Sequence, residues 1–145
     1  MELKHINTLE KWALVVIGIH LVAVIFHGAA HEILPVELST GQLVFVTVVV
    51  ILGPLASAFL IRKSARAGAL LLAMTMTASL MFGLYFHFVG ESADNVSHAA
   101  EMPSTAWSGV FTITAYLLAG LEALGALIAW LLYFKRRPAS KPTTA

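Results

Sequence analysis

The sequence predicts an all-α integral membrane protein: a four-transmembrane-helix, up-down-up-down bundle with both termini cytoplasmic. Three observations carry that expectation. With 59% hydrophobic and 12% charged residues and a mean hydropathy of +0.84, the chain is far more apolar than a soluble domain, where about a quarter of residues are charged. Four segments each supply the roughly 20 mostly apolar residues needed to cross about 30 Å of hydrocarbon. The nine Lys and Arg residues fall only at alternate ends of those segments. A length of 145 residues leaves room for one membrane domain, residues 1–137.

The first span is expected at about 12–34. Asn7 with Glu10 three residues later forms a capping-box pattern before it, and Pro35 is placed to stop it. Lys4, Lys11, the apolar run from Ala13 and the small residues Gly28-Ala29-Ala30 resemble a signal peptide. The run continues through Ile33 and Leu34 with His27 inside it, so it reads as a retained span. The second span, about 42–61, is preceded by a second capping pattern, Ser39 with Gln42, and Gly53-Pro54 is expected to kink it. The third covers about 67–89 and ends at Gly90. The fourth covers about 107–134 and runs into Lys135-Arg136-Arg137-Pro138. Residues 138–145, rich in Pro, Thr and Ser, read as a disordered cytoplasmic tail.

The links are about seven, five and seventeen residues long, and the short ones favour antiparallel neighbours. Basic residues in short loops mark the cytoplasmic side. Lys4 and Lys11 precede the first span, Arg62, Lys63 and Arg66 lie between the second and third, and Lys135, Arg136, Arg137 and Lys141 follow the fourth. The expected location is the plasma membrane of a bacterium or archaeon.

The opposite side carries His27, His31, Glu32, Glu37, His87, Glu91, Asp94, His98 and Glu101. A helix rises about 1.5 Å per residue, which puts His27 about 24 Å and His31 about 30 Å from Lys11, and His87 about 32 Å from Arg66. At about 100° per residue, His20, His27 and His31 share one stripe of the first helix. His27-x3-His31 and His87-x3-Glu91 are spacings that let two side chains hold one ion, and His98-x2-Glu101 joins them if its loop is helical. Neutral imidazoles and carboxylates suit Zn, Cu or non-haem Fe. The candidate ligands are therefore His27, His31, His87, His98, Glu32 and Glu91. A face barred from Lys and Arg by topology is acidic in any case, so its composition alone is no site. The depth of His27 is the stronger signal, because an imidazole in an apolar span needs a partner.

Glu122 stands about 20 Å from Lys135 along its helix, among Leu121, Ala123 and Leu124. It is expected to pair with an imidazole, His27 matching best in depth and His20 next. There it would act as a second shell or proton relay.

The absence of cysteine excludes disulfides, thiolate sites, Fe–S clusters and CxxC redox chemistry. A net charge of +1 points to no nucleic-acid partner. The leading expectation is a metal-binding membrane protein, either a small metalloenzyme or a redox or metal-handling accessory. The alternatives are a non-enzymatic subunit of a larger membrane complex and a haem-b electron carrier with His27 or His20 facing His87. The expected partners are the lipid bilayer and other helices, from a second copy or a complex. Those helices would meet the small-residue series Ala115, Ala119, Ala123 and Ala69, Ala73, Thr77. In size the chain resembles small four-span multidrug exporters, but their essential carboxylate lies in the first span and Glu122 lies in the last.

Overall fold

The structure, a computed structural model, describes residues 7–34, 36–101 and 106–136. The stop assigned to Pro35, the basic residues Lys4, Arg137 and Lys141, and the 138–145 tail lie outside these. Among the described residues the fold is wholly helical. Four helices are long and apolar enough to cross a membrane: α1 (Thr8–Ile33), α2 (Thr40–Lys63), α3 (Ala65–Val89) and α5 (Ala106–Lys135). A short helix, α4 (Val96–Glu101), lies between the last two.

Both capping boxes form. Asn7 Oδ1 accepts from the Glu10 N–H at 2.9 Å while Glu10 Oε2 accepts from the Asn7 N–H at 3.2 Å. Ser39 and Gln42 make the same reciprocal pair at the start of α2. Each box satisfies orphan amides of a first turn, so α1 starts at Thr8, about a turn before its apolar run.

Between Val46 and Leu52, α2 widens into a π-helical turn, and the Gly53 N–H bonds the Val48 carbonyl. Pro54 explains the widening: it donates no N–H and its ring crowds the carbonyl four residues back. The irregularity expected at Gly53-Pro54 is thus a widened turn. A second π-helical turn, Tyr85–Val89, finishes α3. It closes with the Gly90 N–H donating to Tyr85 O at 2.6 Å. Gly90 is there for space, because a Cβ would stand 3.2 Å from that oxygen and 3.3 Å from the Tyr85 ring.

The link between α2 and α3 is one residue, Ser64, where about five were expected. Its N–H donates to Leu60 O at 2.6 Å and its Oγ accepts from the Ala67 N–H at 3.5 Å, so it ends one helix and caps the next. Such a tight turn requires close helix contact. Gly68 lies against the Ile61 backbone and Gly53 against Thr75, and a Cβ at either glycine would overlap its neighbour.

The main core joins all four long helices near the basic end. Ala13 and Ile17 of α1, Ile61 of α2, Leu72, Ala73 and Met76 of α3, and Ala126 and Ala129 of α5 pack there. Arg136 Nη2 donates to buried Glu10 Oε1 at 2.7 Å, and the Arg66 guanidinium lies 5.2 Å from the Tyr133 ring centre. Contacts between α1 and α5 run in reverse order along the two helices: Glu10 with Arg136, His20 with Glu122, His27 with Thr114. At the other end, Ala30, Leu34, Val36 and Phe111 form a separate apolar cluster. Between the two ends, α2 stands away from α1 and leaves a cavity.

Candidate metal centre

Three elements converge beside Phe111 at the end away from the basic residues. α1 brings His27 and His31, the π-helical end of α3 brings His87, and the turn after Gly90 brings Asp94. His27, His87 and Asp94 are buried, and their ligand atoms all lie within 4.8 Å of one another, so this group could hold a metal ion. The ring of His27 is 4.9 Å from that of His31 and 4.8 Å from that of His87, both edge-on. Phe111 stacks on His27 at 4.8 Å and meets His31 edge-on at 5.2 Å, walling one side of the cluster.

The hydrogen bonds fix which nitrogens are free. Thr114 Oγ1 donates to the Val110 carbonyl at 2.6 Å, so it accepts from His27 Nδ1–H at 2.9 Å. His31 Nδ1–H faces the Val36 carbonyl at 3.2 Å, and His87 Nδ1–H faces the Asp94 carbonyl at 2.9 Å. A neutral imidazole has one donor and one acceptor. Each of the three rings therefore keeps an Nε2 lone pair, the pattern of metal-binding histidines oriented by a hydrogen bond to an oxygen. His27 is 7% exposed and its Nε2 has no partner.

Asp94 Oδ1 lies 3.1 Å from His87 Nδ1 and 3.2 Å from His31 Nε2. Neither ring directs an N–H at it, because both Nδ1 donors are aimed at main-chain carbonyls, and Oδ1 has no directed hydrogen bond. With His31 uncharged, two acceptors, its Nε2 and Asp94 Oδ1, face each other; a proton on Nε2 turns the same contact into an ion pair. Burial opposes ionisation of Asp94, but contact with His31 and His87 outweighs it and holds the carboxyl down to about 2.

Asp94 reaches the cluster because the chain folds back after Gly90. Ser92 Oγ donates to Phe86 O at 3.1 Å, and Asn95 Nδ2 donates to Gly90 O at 2.9 Å. His98 does not reach the cluster. It is exposed, and its Nδ1 bonds the Ser92 carbonyl at 2.6 Å, bracing the same turn. Glu91 is also exposed and apart, because α3 stops at Val89 and the helical spacing from His87 is not continued. Glu32 is exposed at the cavity wall. The carboxylate beside the histidines is Asp94, which no helical spacing announces.

Glu122 pairs with His20, not His27: Oε1 lies 3.4 Å from His20 Nε2. Setting Lys11 level with Lys135 misplaces α5 by about one helical turn, because the observed pairs are His20 with Glu122 and His27 with Thr114. Glu122 is nonetheless near the cluster. The point where a Gly83 Cβ would sit is 3.6 Å from Glu122 Oε2 and 3.7 Å from His87 Cδ2. Gly83 keeps the space between them open.

That space belongs to the cavity, about 350 Å³ in volume. One end holds His27, His31, His87 and Asp94. Glu122 and Ser79 lie along it, and the remaining wall is largely apolar, including Val46, Val50 and Ile51 from the π-helical stretch of α2.

Compared with known protein families, curated proteins and solved structures, the chain matches none.

The haem arrangement does not fit this geometry. The rings of His27 and His87, 4.8 Å apart and edge-on, leave no slot for a porphyrin, and His20 is turned to Glu122.

Proposed function

We propose that the protein is a multi-pass membrane protein that binds one transition-metal ion through His27, His87 and Asp94, with His31 beside them. The ion is Zn(II), Cu(II) or Fe(II): two imidazoles and a carboxylate with a further position available is a donor set shared by catalytic zinc and non-haem iron. The observation that carries this reading is the pair of buried acceptors without donors, His27 Nε2 and Asp94 Oδ1. Buried polar atoms are normally satisfied, and a cation satisfies lone pairs that face one another.

The helices form an up-down-up-down bundle. Basic residues at the Arg66–Tyr133 and Glu10–Arg136 end put both termini on the cytoplasmic side and the metal centre toward the outer one. The protein then acts as a small metalloenzyme or as a redox or metal-handling accessory. Glu122 and His20, a carboxylate–imidazole pair bordering the same cavity, are placed to pass protons to and from it. A subunit role has one supporting observation: Gly120 and Ala123 lie exposed on α5, a small-residue face suited to a further helix.

The test is elemental analysis of detergent-purified protein together with its visible spectrum. Near-stoichiometric Zn, Cu or Fe is expected, lost in the double variant His27→Ala/His87→Ala, with no Soret band. Protein free of metal, equally stable in that variant, would sink the metal reading and favour the subunit role.

A further inference from the structure

The cavity is built to receive more than an ion. Its wall is shared with the outer surface of the bundle: Ile25 is 69% exposed and Leu43 55% exposed, yet both line the cavity. Its mouth therefore opens between α1 and α2 on the apolar belt at Ile25 and Leu43, with exposed Glu32, and half-buried Leu38 of the connecting loop, at its outer rim. Behind the mouth, Val24, Val46, Val50 and Phe82 give only apolar contact. Polarity returns at the end, where buried His27 keeps an unpartnered Nε2. A volume of about 350 Å³ is in the range of small-molecule sites, which pair a mostly apolar wall with a few placed polar groups.

We infer that the cavity binds a lipid-soluble hydroxyl compound, an alcohol or phenol, which enters sideways from the hydrocarbon and sets its oxygen against the histidine–aspartate cluster. The wall selects an apolar body, and the mouth admits it without passage through water. The head must be a donor, because His27 Nε2 is an acceptor. A carboxylate head would bring further acceptor oxygens against His27 Nε2 and Asp94 Oδ1, neither of which has a partner. Asp94 and Glu122 in the lining would attract an ammonium, but a charged head loses its hydration on entering through an apolar mouth, a cost that a neutral hydroxyl avoids. A hydroxyl donates to Nε2 in the metal-free protein. With an ion bound, its oxygen is a ligand suited to Zn, Cu(II) or Fe. This second role rests on the metal reading; the first does not.

The experiment uses the full chain in lipid nanodiscs, with and without added Zn(II), and a decanol carrying a photoreactive diazirine as probe. Crosslinks are mapped by mass spectrometry. Labelling is expected within 24–31 and 43–51, suppressed by excess 1-decanol or 1-naphthol but not by decane. The two competitors tell a chain alcohol from a ring phenol. Ala119→Phe and Val50→Phe, which fill the cavity from two walls, should each cut that labelling by about tenfold or more while bound metal is unchanged. Labelling spread equally over lipid-facing positions such as Val15, Ile113 and Leu127, or competed as well by decane, overturns the inference on the native chain even if the filled variants fold poorly. Metal content is measured on the same samples. Stoichiometric metal without cavity labelling rejects the ligand and keeps the metal centre; specific labelling without metal does the reverse.

Discussion

Thr114 controls how His27 is presented. Its hydroxyl accepts from His27 Nδ1–H at 2.9 Å, fixing the ring so that Nε2 faces the cluster. Thr114→Val keeps the shape and removes the acceptor, and is expected to weaken metal binding by about 10–100-fold, read by competition with a chelator. Asp94 sets a different limit. With its carboxyl at about 2 against an ordinary 3.8, it stays ionised well below neutrality, so acid release of metal falls to the imidazoles. Ligation needs neutral rings, and the ordinary imidazole value is about 6.5. Metal measured after equilibration across pH 7.5 to 4 (roughly the imidazole range) should therefore be retained at the upper end and lost toward the lower end. Loss only below the ordinary carboxylate range would contradict histidine ligation. In the metal-free protein the sign for Asp94 is that of a lowered acid. Its contribution to stability is present above about 3.8 and disappears as pH falls through about 2.

At the scale of elements, α2 and α3 are held by close approach at glycines. Gly68→Ala would force a Cβ into the Ile61 backbone, which cannot swing aside as a side chain can. The expected loss is about 1–3 kcal/mol, seen as a lower melting temperature. Gly18→Ala is the control. A Cβ there meets nothing within 4 Å, and removing a helical glycine should leave stability unchanged or raise it by about 0.5–1 kcal/mol. Elements were the most legible part of the sequence. Asn7/Glu10 and Ser39/Gln42 are local signals, and each makes its expected cap. Asp94 was visible only as one acid among several, since its position depends on a turn set by Ser92, Asn95 and His98, with no periodicity to reveal it. The His20–Glu122 pair was misread for a related reason. Helix counting gives depth within one helix, whereas the offset between α1 and α5 comes from packing.

At the scale of the molecule, the orientation proposed from basic residues can be tested cleanly because the chain has no cysteine. Ala93→Cys and Lys63→Cys, both at exposed positions, should differ in intact cells. The first is expected to react with a membrane-impermeant maleimide, and the second only after permeabilisation. The reverse pattern would put the histidine cluster on the cytoplasmic side and remove the reason for placing the metal centre toward the outer one.

The uneven packing along α2 also has a mechanical meaning. Gly53–Lys63 touches α1, whereas Thr40–Leu52 makes little contact with it. After Pro54 the helix is held by both α1 and α3, whereas the arm before it, alongside the histidines, is held chiefly by α3, with Phe45 stacked on Phe82. Bending that arm widens the gap between α1 and α2 without breaking the core around Leu72 and Met76. Stiffness is thus graded along one helix, and amide hydrogen exchange should be faster in Thr40–Leu52 than in Gly53–Lys63.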